Sequence, residues 1–169
     1  MQVRIANVKV SIKIKAISLY IVLKILTEKL ISSTVYDNYI VLKANYTFII
    51  FKSKNSGENN HINITKIPDV NSVPFAINEI ETILNCKHFD LHIDNITASS
   101  NLNQHINLIE VVKKNSFKNI KYNNQKFPGL FLKFEKGTAI IFHSGKIVIV
   151  GCNKTSDIKW IVMQIAANI

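Results

Sequence analysis

Arginine is almost missing from this chain: Arg4 is the single one among 169 residues, against 20 lysines. The net charge of +10 is therefore nearly all lysine, and it divides as +5 over residues 1–88 and +5 over residues 89–169, with no basic tail. A positive field spread over both halves suits a polyanionic partner that touches both, and an excess of lysine also serves solubility alone. Cysteine is scarce too. Cys86 and Cys152 have no ligand-like spacing, which argues against a disulfide framework or a zinc cluster. No apolar run is long enough for a bilayer, since the best, residues 16–26, is short and no small-residue cleavage site follows it. There is also no Gly-rich phosphate loop, nucleophile elbow or paired-carboxylate motif, so an enzyme is not expected.

What the chain does have is a repeat. Phe127-Pro-Gly-Leu-Phe-Leu-Lys-Phe-Glu-Lys-Gly-Thr-Ala-Ile-Ile-Phe-His-Ser-Gly-Lys146 has a worn copy 91 residues upstream, starting at Tyr36. Without a gap, Tyr36 falls on Phe127, Thr47 on Thr138, and Phe48-Ile49-Ile50-Phe51 on Ala139-Ile140-Ile141-Phe142. Upstream, Ile5-Ala6-Asn7-Val8 matches Ile93-Asp94-Asn95-Ile96; downstream, Ile62-Asn63-Ile64-Thr65 matches Ile147-Val148-Ile149-Val150. Each half reads strand, helix, several strands, helix. Two long copies do not make a solenoid, so residues 1–88 and 89–169 are expected to be the repeats of one pseudo-twofold α+β domain. Asn55 to Asn60 is an extra polar loop of the first copy.

Helical spacing puts Ile158, Ile161, Val162, Ile165 and Ile169 on one face of a last helix, with Ser156 and Asp157 as its cap. Ile77, Ile80, Ile83 and Leu84 do the same in the first half, behind Pro74 and a Ser72 cap. Residues 16–26 are expected to form a buried helix. Residues 39–51 and 130–142 are rich in β-branched and aromatic side chains and read as hairpins, the second turning at Glu135-Lys136-Gly137.

Alternation along strands then sorts the residues by face. With Val8 and Val10 towards the helices, Asn7, Lys9 and Ser11 point away, as do Asn95, Thr97 and Ser99 in the second copy. Ile50 and Ile141 pack inward while Ile49, Phe51, Ile140 and Phe142 point out. A large apolar set on a face without helices calls for a partner. His88-Phe-Asp-Leu-His92 has histidines four apart, but it lies at a strand start, where that spacing does not converge on a metal.

Phe-Pro-Gly-Leu at 127–130, Ile-Ile-Phe-x-Ser-Gly-Lys at 140–146, Ile149-Val150-Gly151 and the paired Asn7 and Asn95 resemble the TATA-box-binding protein core in order and context, over nearly the whole chain. The resemblance implies a curved antiparallel sheet of about ten strands, four helices on its convex side, and a concave face that binds and bends the DNA minor groove. It implies base contacts from Asn7 and Asn95, and wedge aromatics Phe127 with Phe142 and Tyr36 with Phe51. Ile49, Ile140, Thr65, Thr97, Val148 and Val150 would pack on the groove floor, and Lys133 and Lys146 would meet phosphates. It further implies a monomeric transcription-initiation factor acting on double-stranded DNA in the nucleus, or at a site of viral transcription. Initiation proteins or RNA polymerase would be its partners, and no cofactor, metal or membrane is expected. Lys9 and Asn63 stand where the family has valines, and Asp37 follows Tyr36, so the second half keeps the DNA-facing chemistry better. The alternative reading is a retained fold with weakened TATA specificity that serves as a protein-interaction or RNA-containing-duplex platform.

Overall fold

A computed structural model describes residues 2–53, Asn55, 57–114 and 116–169. Among them are ten strands and four helices: β1 Arg4–Ile14, α1 Leu19–Glu28, β2 Ser33–Val35, β3 Tyr39–Lys43, β4 Thr47–Phe51, β5 Asn60–Ile67, α2 Val73–Leu84, β6 His88–Asn101, α3 Leu108–Lys114, β7 Ile120–Lys121, β8 Leu130–Phe134, β9 Gly137–Ile141, β10 Lys146–Cys152 and α4 Thr155–Asn168. No helix among the described residues is long and apolar enough to cross a membrane. The chain forms two compact units, residues 7–94 and residues 1–6 with 95–169. The first six residues belong with the later unit, where Gln2 carbonyl oxygen accepts from Ser100 Oγ.

In the 7–94 unit the strands run β2-β3-β4-β5-β1, and in the other β6-β10-β9-β8-β7, all antiparallel. The two units share an inward pattern. Val8, Val10, Ile12, Ile40, Leu42, Phe48, Ile50, Ile62 and Ile64 are buried with Val22, Leu26, Ala76, Ile77 and Ile80 of α1 and α2. In the other unit Ile96, Ala98, Leu130, Leu132, Ala139, Ile141, Ile147 and Ile149 are buried with Ile158, Ile161, Val162 and Ile165 of α4. Each fully buried valine, leucine, isoleucine or phenylalanine contributes about 1.5–3 kcal/mol, so this one-sided core is what fixes the strand faces.

Local details depart from the sequence expectation. Ser72 makes no side-chain cap; Asp69 accepts from Ser72 N–H instead, one turn earlier, because a single 3-10 turn at Val70–Ser72 precedes α2. At α4 the N-cap position is Lys154, and Ser156 and Asp157 lie inside the first turn, where Asp157 still faces the positive helix end and Lys136 at 3.7 Å. The α1 helix is only half-buried: Val22 and Leu26 face the core while Tyr20 and Ile21 stay exposed. In the 55–60 loop, Ser56 lies outside the described residues. Asn60 is the buried first residue of β5, its side chain accepting from Ile17 N–H and donating to Phe51 carbonyl oxygen.

The constant 91-residue offset also breaks. Ile40 pairs with Ile50 and Leu130 with Ile141, so β3 matches β8 at an offset of 90 while β4 matches β9 at 91. The cause is the turn: three residues separate Lys43 from Thr47, but four separate Lys133 from Thr138. The β8–β9 turn itself is Glu135-Lys136, with Gly137 already paired to Phe134.

A carboxylate clamps the end of α2 to the start of β6. Glu81 accepts from His88 N–H at 2.9 Å, His88 Nδ1 at 2.9 Å and Lys87 Nζ at 3.1 Å. Burial alone would raise its pKa, but these donors together outweigh burial and lower it to about 2. Nearby, Lys29 Nζ donates to the last carbonyls of α2, Thr82 at 2.9 Å and Ile83 at 2.8 Å. Since the folded pKa of Glu81 lies below its ordinary 4.5, its contribution is full above that pH and is lost as pH falls towards 2. Glu81→Gln is expected to cost about 1–3 kcal/mol in urea unfolding at pH 7, with the gap to the parent closing as the pH drops from 4.5 to 2.

Candidate nucleic-acid interface

In each unit the strand face opposite the helices is built by the positions between the buried ones. In the 95–169 unit, Asn95, Thr97 and Ser99 of β6, Lys146, Val148 and Val150 of β10, Thr138 and Ile140 of β9, and Phe131 and Lys133 of β8 occupy it. Register lines up Phe131, Ile140, Val148 and Ser99 in one row and Lys133, Thr138 and Val150 in the next. No carboxylate stands at any of these positions. Phe127, 39% exposed, overhangs the row, its ring 5.2 Å from Phe131 and 6.0 Å from Phe142.

Gly129 makes that cluster possible. A Cβ there would lie 2.7 Å from Ile140 Cγ2, 2.7 Å from Phe127 Cε1 and 3.2 Å from Phe142 Cε1. The missing side chain is thus the space the rings use.

Asn95 is held in one orientation. Its Oδ1 accepts from Gly151 N–H at 2.7 Å and its Nδ2 donates to Thr97 Oγ1 at 3.2 Å, which leaves one amide hydrogen for a ligand. Gly151, at φ +82, occupies a bulge of β10 between Ile149 and Cys152, which turns its N–H out to Asn95. Lys133 and Lys146 sit exposed on the same face, and the turn before Lys146 is closed by Gly145 N–H to Phe142 carbonyl oxygen.

The 7–94 unit has the same plan with different chemistry. Its open face carries Asn7, Lys9, Ser11 and Lys13 of β1, His61, Asn63 and Thr65 of β5, Thr47, Ile49 and Phe51 of β4, and Tyr39, Val41 and Lys43 of β3. The row matching the apolar one above is Val41, Ile49, Asn63 and Ser11. Here Ile49 has Val41 on one side and, on the side where Ile140 has Val148, the amide of Asn63. Thr65 Oγ1 leans to Thr47 carbonyl oxygen at 3.5 Å.

The Asn7 amide has no hydrogen bond among the described residues. Lys66 takes the bulge position of Gly151 and is forced to φ +63, a conformation that costs an L-residue about 1–2 kcal/mol. Carboxylates reach this face. Asp94 accepts from Ser11 Oγ at 2.8 Å and pairs with Lys9 at 3.5 Å, while Asp90 meets Lys13 and His92. The Lys13 hydrogen bond, then that of His92, lowers the Asp90 pKa. His88 and His92 are thus held by separate carboxylates, Glu81 and Asp90. Two lysines that could meet phosphate are already neutralised.

The expected pair Tyr36 and Phe51 is not in direct contact like its counterpart. Tyr39 stands between them, stacked on Tyr36 at 4.5 Å and tilted to Phe51 at 5.8 Å, and Phe51 reaches His61 at 6.2 Å. Sequence reasoning missed Tyr39, because the ungapped offset put it on inward-facing Leu130. It missed Phe131 as well, although alternation from Leu130 and Leu132 points Phe131 out.

Residues 90–169 match the family model described as "Transcription factor TFIID (or TATA-binding protein, TBP)". The chain is 39% identical over 82 residues to the TATA-box-binding protein of Pyrodictium occultum, covering 46% of this chain and 39% of that one. It is 37% identical over 92 residues to TATA-box-binding protein-like 1 of Entamoeba histolytica, covering 53% and 38%. The chain thus spans about two fifths of the length of these curated relatives. Among solved structures, Methanococcus jannaschii TBP superposes with a TM-score of 0.80 at 24% identity, over 99% of this chain and 98% of that one. That likeness extends the fold over the first half, which the family model does not reach, and the α+β fold expected from the repeat is the observed one.

Gly129→Ala is expected to push the Phe127 ring off Ile140 and destabilise the fold by about 1–3 kcal/mol in urea unfolding. Unchanged stability would mean that the rings have room to spare.

Proposed function

We propose that the chain, a divergent core domain of the TATA-box-binding protein type, is a transcription-initiation factor that grips AT-rich double-stranded DNA in the minor groove and bends it. The observation that carries this reading is the acid-free apolar row Phe131, Ile140 and Val148, overhung by Phe127 and Phe142, with the held amide of Asn95 farther along the same face. The minor groove shows only acceptors at A·T pairs and adds a donor at G·C. An amide whose oxygen is occupied presents a hydrogen, which suits the first and meets repulsion from the second. Apolar side chains and ring wedges suit a groove opened by unstacking, which costs about a few kcal/mol per step and is offset by the larger contact of bent DNA. Lys133 and Lys146 add affinity without reading sequence.

In this reading the 95–169 unit supplies most of the groove contact, because the other face carries Asn63 in place of an aliphatic side chain and neutralises Lys9 and Lys13 internally. The same ion pairs favour a second reading, in which the 7–94 face meets a protein or an RNA-containing duplex. A binding role in the nucleus or at a viral transcription site, as a monomer beside initiation proteins or RNA polymerase, accompanies the first reading.

Mobility-shift and bending assays on AT-rich and GC-rich duplexes test it. Phe127→Ala and Phe142→Ala are each expected to weaken AT-rich binding by at least about tenfold. Asn95→Leu is expected to reduce the AT preference more than Asn7→Leu, whose amide is not held. Equal binding to both duplexes, indifferent to these changes, would sink the proposal.

A further inference from the structure

The 7–94 unit has a cavity at the Phe51 end of its open face. About 660 Å³ in volume, it opens beside Phe51 and His61, with Asn38, Asn63, Lys52 and Glu58 also on its wall. Its size lies in the range that holds a nucleotide-sized ligand. Two departures from the repeat lie at or beside it. The 55–60 insertion contributes Glu58, whose carboxylate accepts from Asn55 Nδ2. The shift that sets Tyr39 where the other unit has Gly129 spreads the aromatics into a file, Tyr36, Tyr39, Phe51 and His61, instead of a closed cluster.

We infer that this cavity takes a single unstacked nucleobase. Phe51, already backed by Tyr39, offers a ring to stack on, and stacking of this kind suits any base. Amides at Asn38 and Asn63 offer both donor and acceptor groups to a base edge, and Lys52 at the rim suits the attached phosphate. Glu58 is an acceptor only, so it selects bases that carry an exocyclic amine, adenine, cytosine or guanine, over thymine and uracil. Asn63 gains a use that a groove-floor position does not give it: its Oδ1 is 3.1 Å from His61 Nε2, which orients its amide along the cavity wall. The inference rests on the open face being a nucleic-acid surface, but it does not need minor-groove binding. The base arrives either in a single strand or as a free nucleotide.

The intact chain is titrated with fluorescently labelled single strands of dC and of dT, and with dCMP as competitor. The dC strand is expected to bind more tightly than dT. Phe51→Leu is expected to weaken the dC strand by about tenfold, Asn63→Val, which installs the residue type of the other unit at Val148, should weaken it too, and Glu58→Gln should level dC with dT. Displacement by dCMP, lost in Phe51→Leu, would assign the site to free nucleotides as well. Binding unaltered by Phe51→Leu and Asn63→Val overturns the inference, as does an equal loss in Phe142→Leu, which would place the strand on the other unit. Phe127→Ala and Phe142→Ala read on AT-rich duplex serve as the separate test of groove binding, so either reading can fail alone.

Discussion

The strand residues of the 95–169 open face point outward because their neighbours in sequence are buried. The pleat of a strand permits only two directions, and a one-residue slip would send the whole apolar set to the wrong side. Burial of Ala139 and Ile141 commits Ile140 to the open face, and burial of Ile147 and Ile149 commits Val148 and Val150. The helices thus determine the interface without touching it. What they leave uncovered in the 95–169 unit is an apolar row with lysines and no acid, a surface that water solvates poorly and an anion finds attractive.

Two structural units with one plan have diverged at the positions where the plan is least constrained. Inward residues stay apolar: Ile50 matches Ile141, Ile62 matches Ile147 and Ile64 matches Ile149, while Phe48 matches Ala139. Outward residues change character. Val148 has Asn63 as counterpart, Thr97 has Lys9, and Gly151 has Lys66, which keeps the bulge at the expense of a left-handed backbone. The amide of Asn95 is held by that bulge and the amide of Asn7 is not, so one backbone exchange alters how firmly a base-facing group is aimed.

Much of this was legible in the sequence. The duplicated Ile-Ile-Phe, the paired asparagines and the alternation around Val8 and Val10 fixed fold class, faces and most of the open-face set. The misses have physical causes. Ser72 holds the N-cap position of α2 but its side chain makes no capping bond, since the 3-10 turn before it is capped by Asp69, and at α4 Lys154 takes the place expected of Ser156, because a cap depends on where the chain bends. Tyr39 was hidden by a turn one residue shorter than its partner, which an ungapped comparison cannot register. The Lys9–Asp94 and Lys13–Asp90 pairs join residues far apart in sequence, and pairing at that range is written in the fold alone.

The central claim is that nucleic acid meets the open face, led by the 95–169 unit. Methyl-labelled isoleucine and valine offer adjacent reporters on opposite sides: Ile140, Val148 and Val150 open, Ile141, Ile147 and Ile149 covered by helix. On titration with an AT-rich duplex, NMR resonances of the first three are expected to shift or broaden strongly while those of the second three move little. Shifts concentrated instead at Ile158, Ile161 and Val162 of α4, with Ile140 and Val148 unmoved, would contradict it.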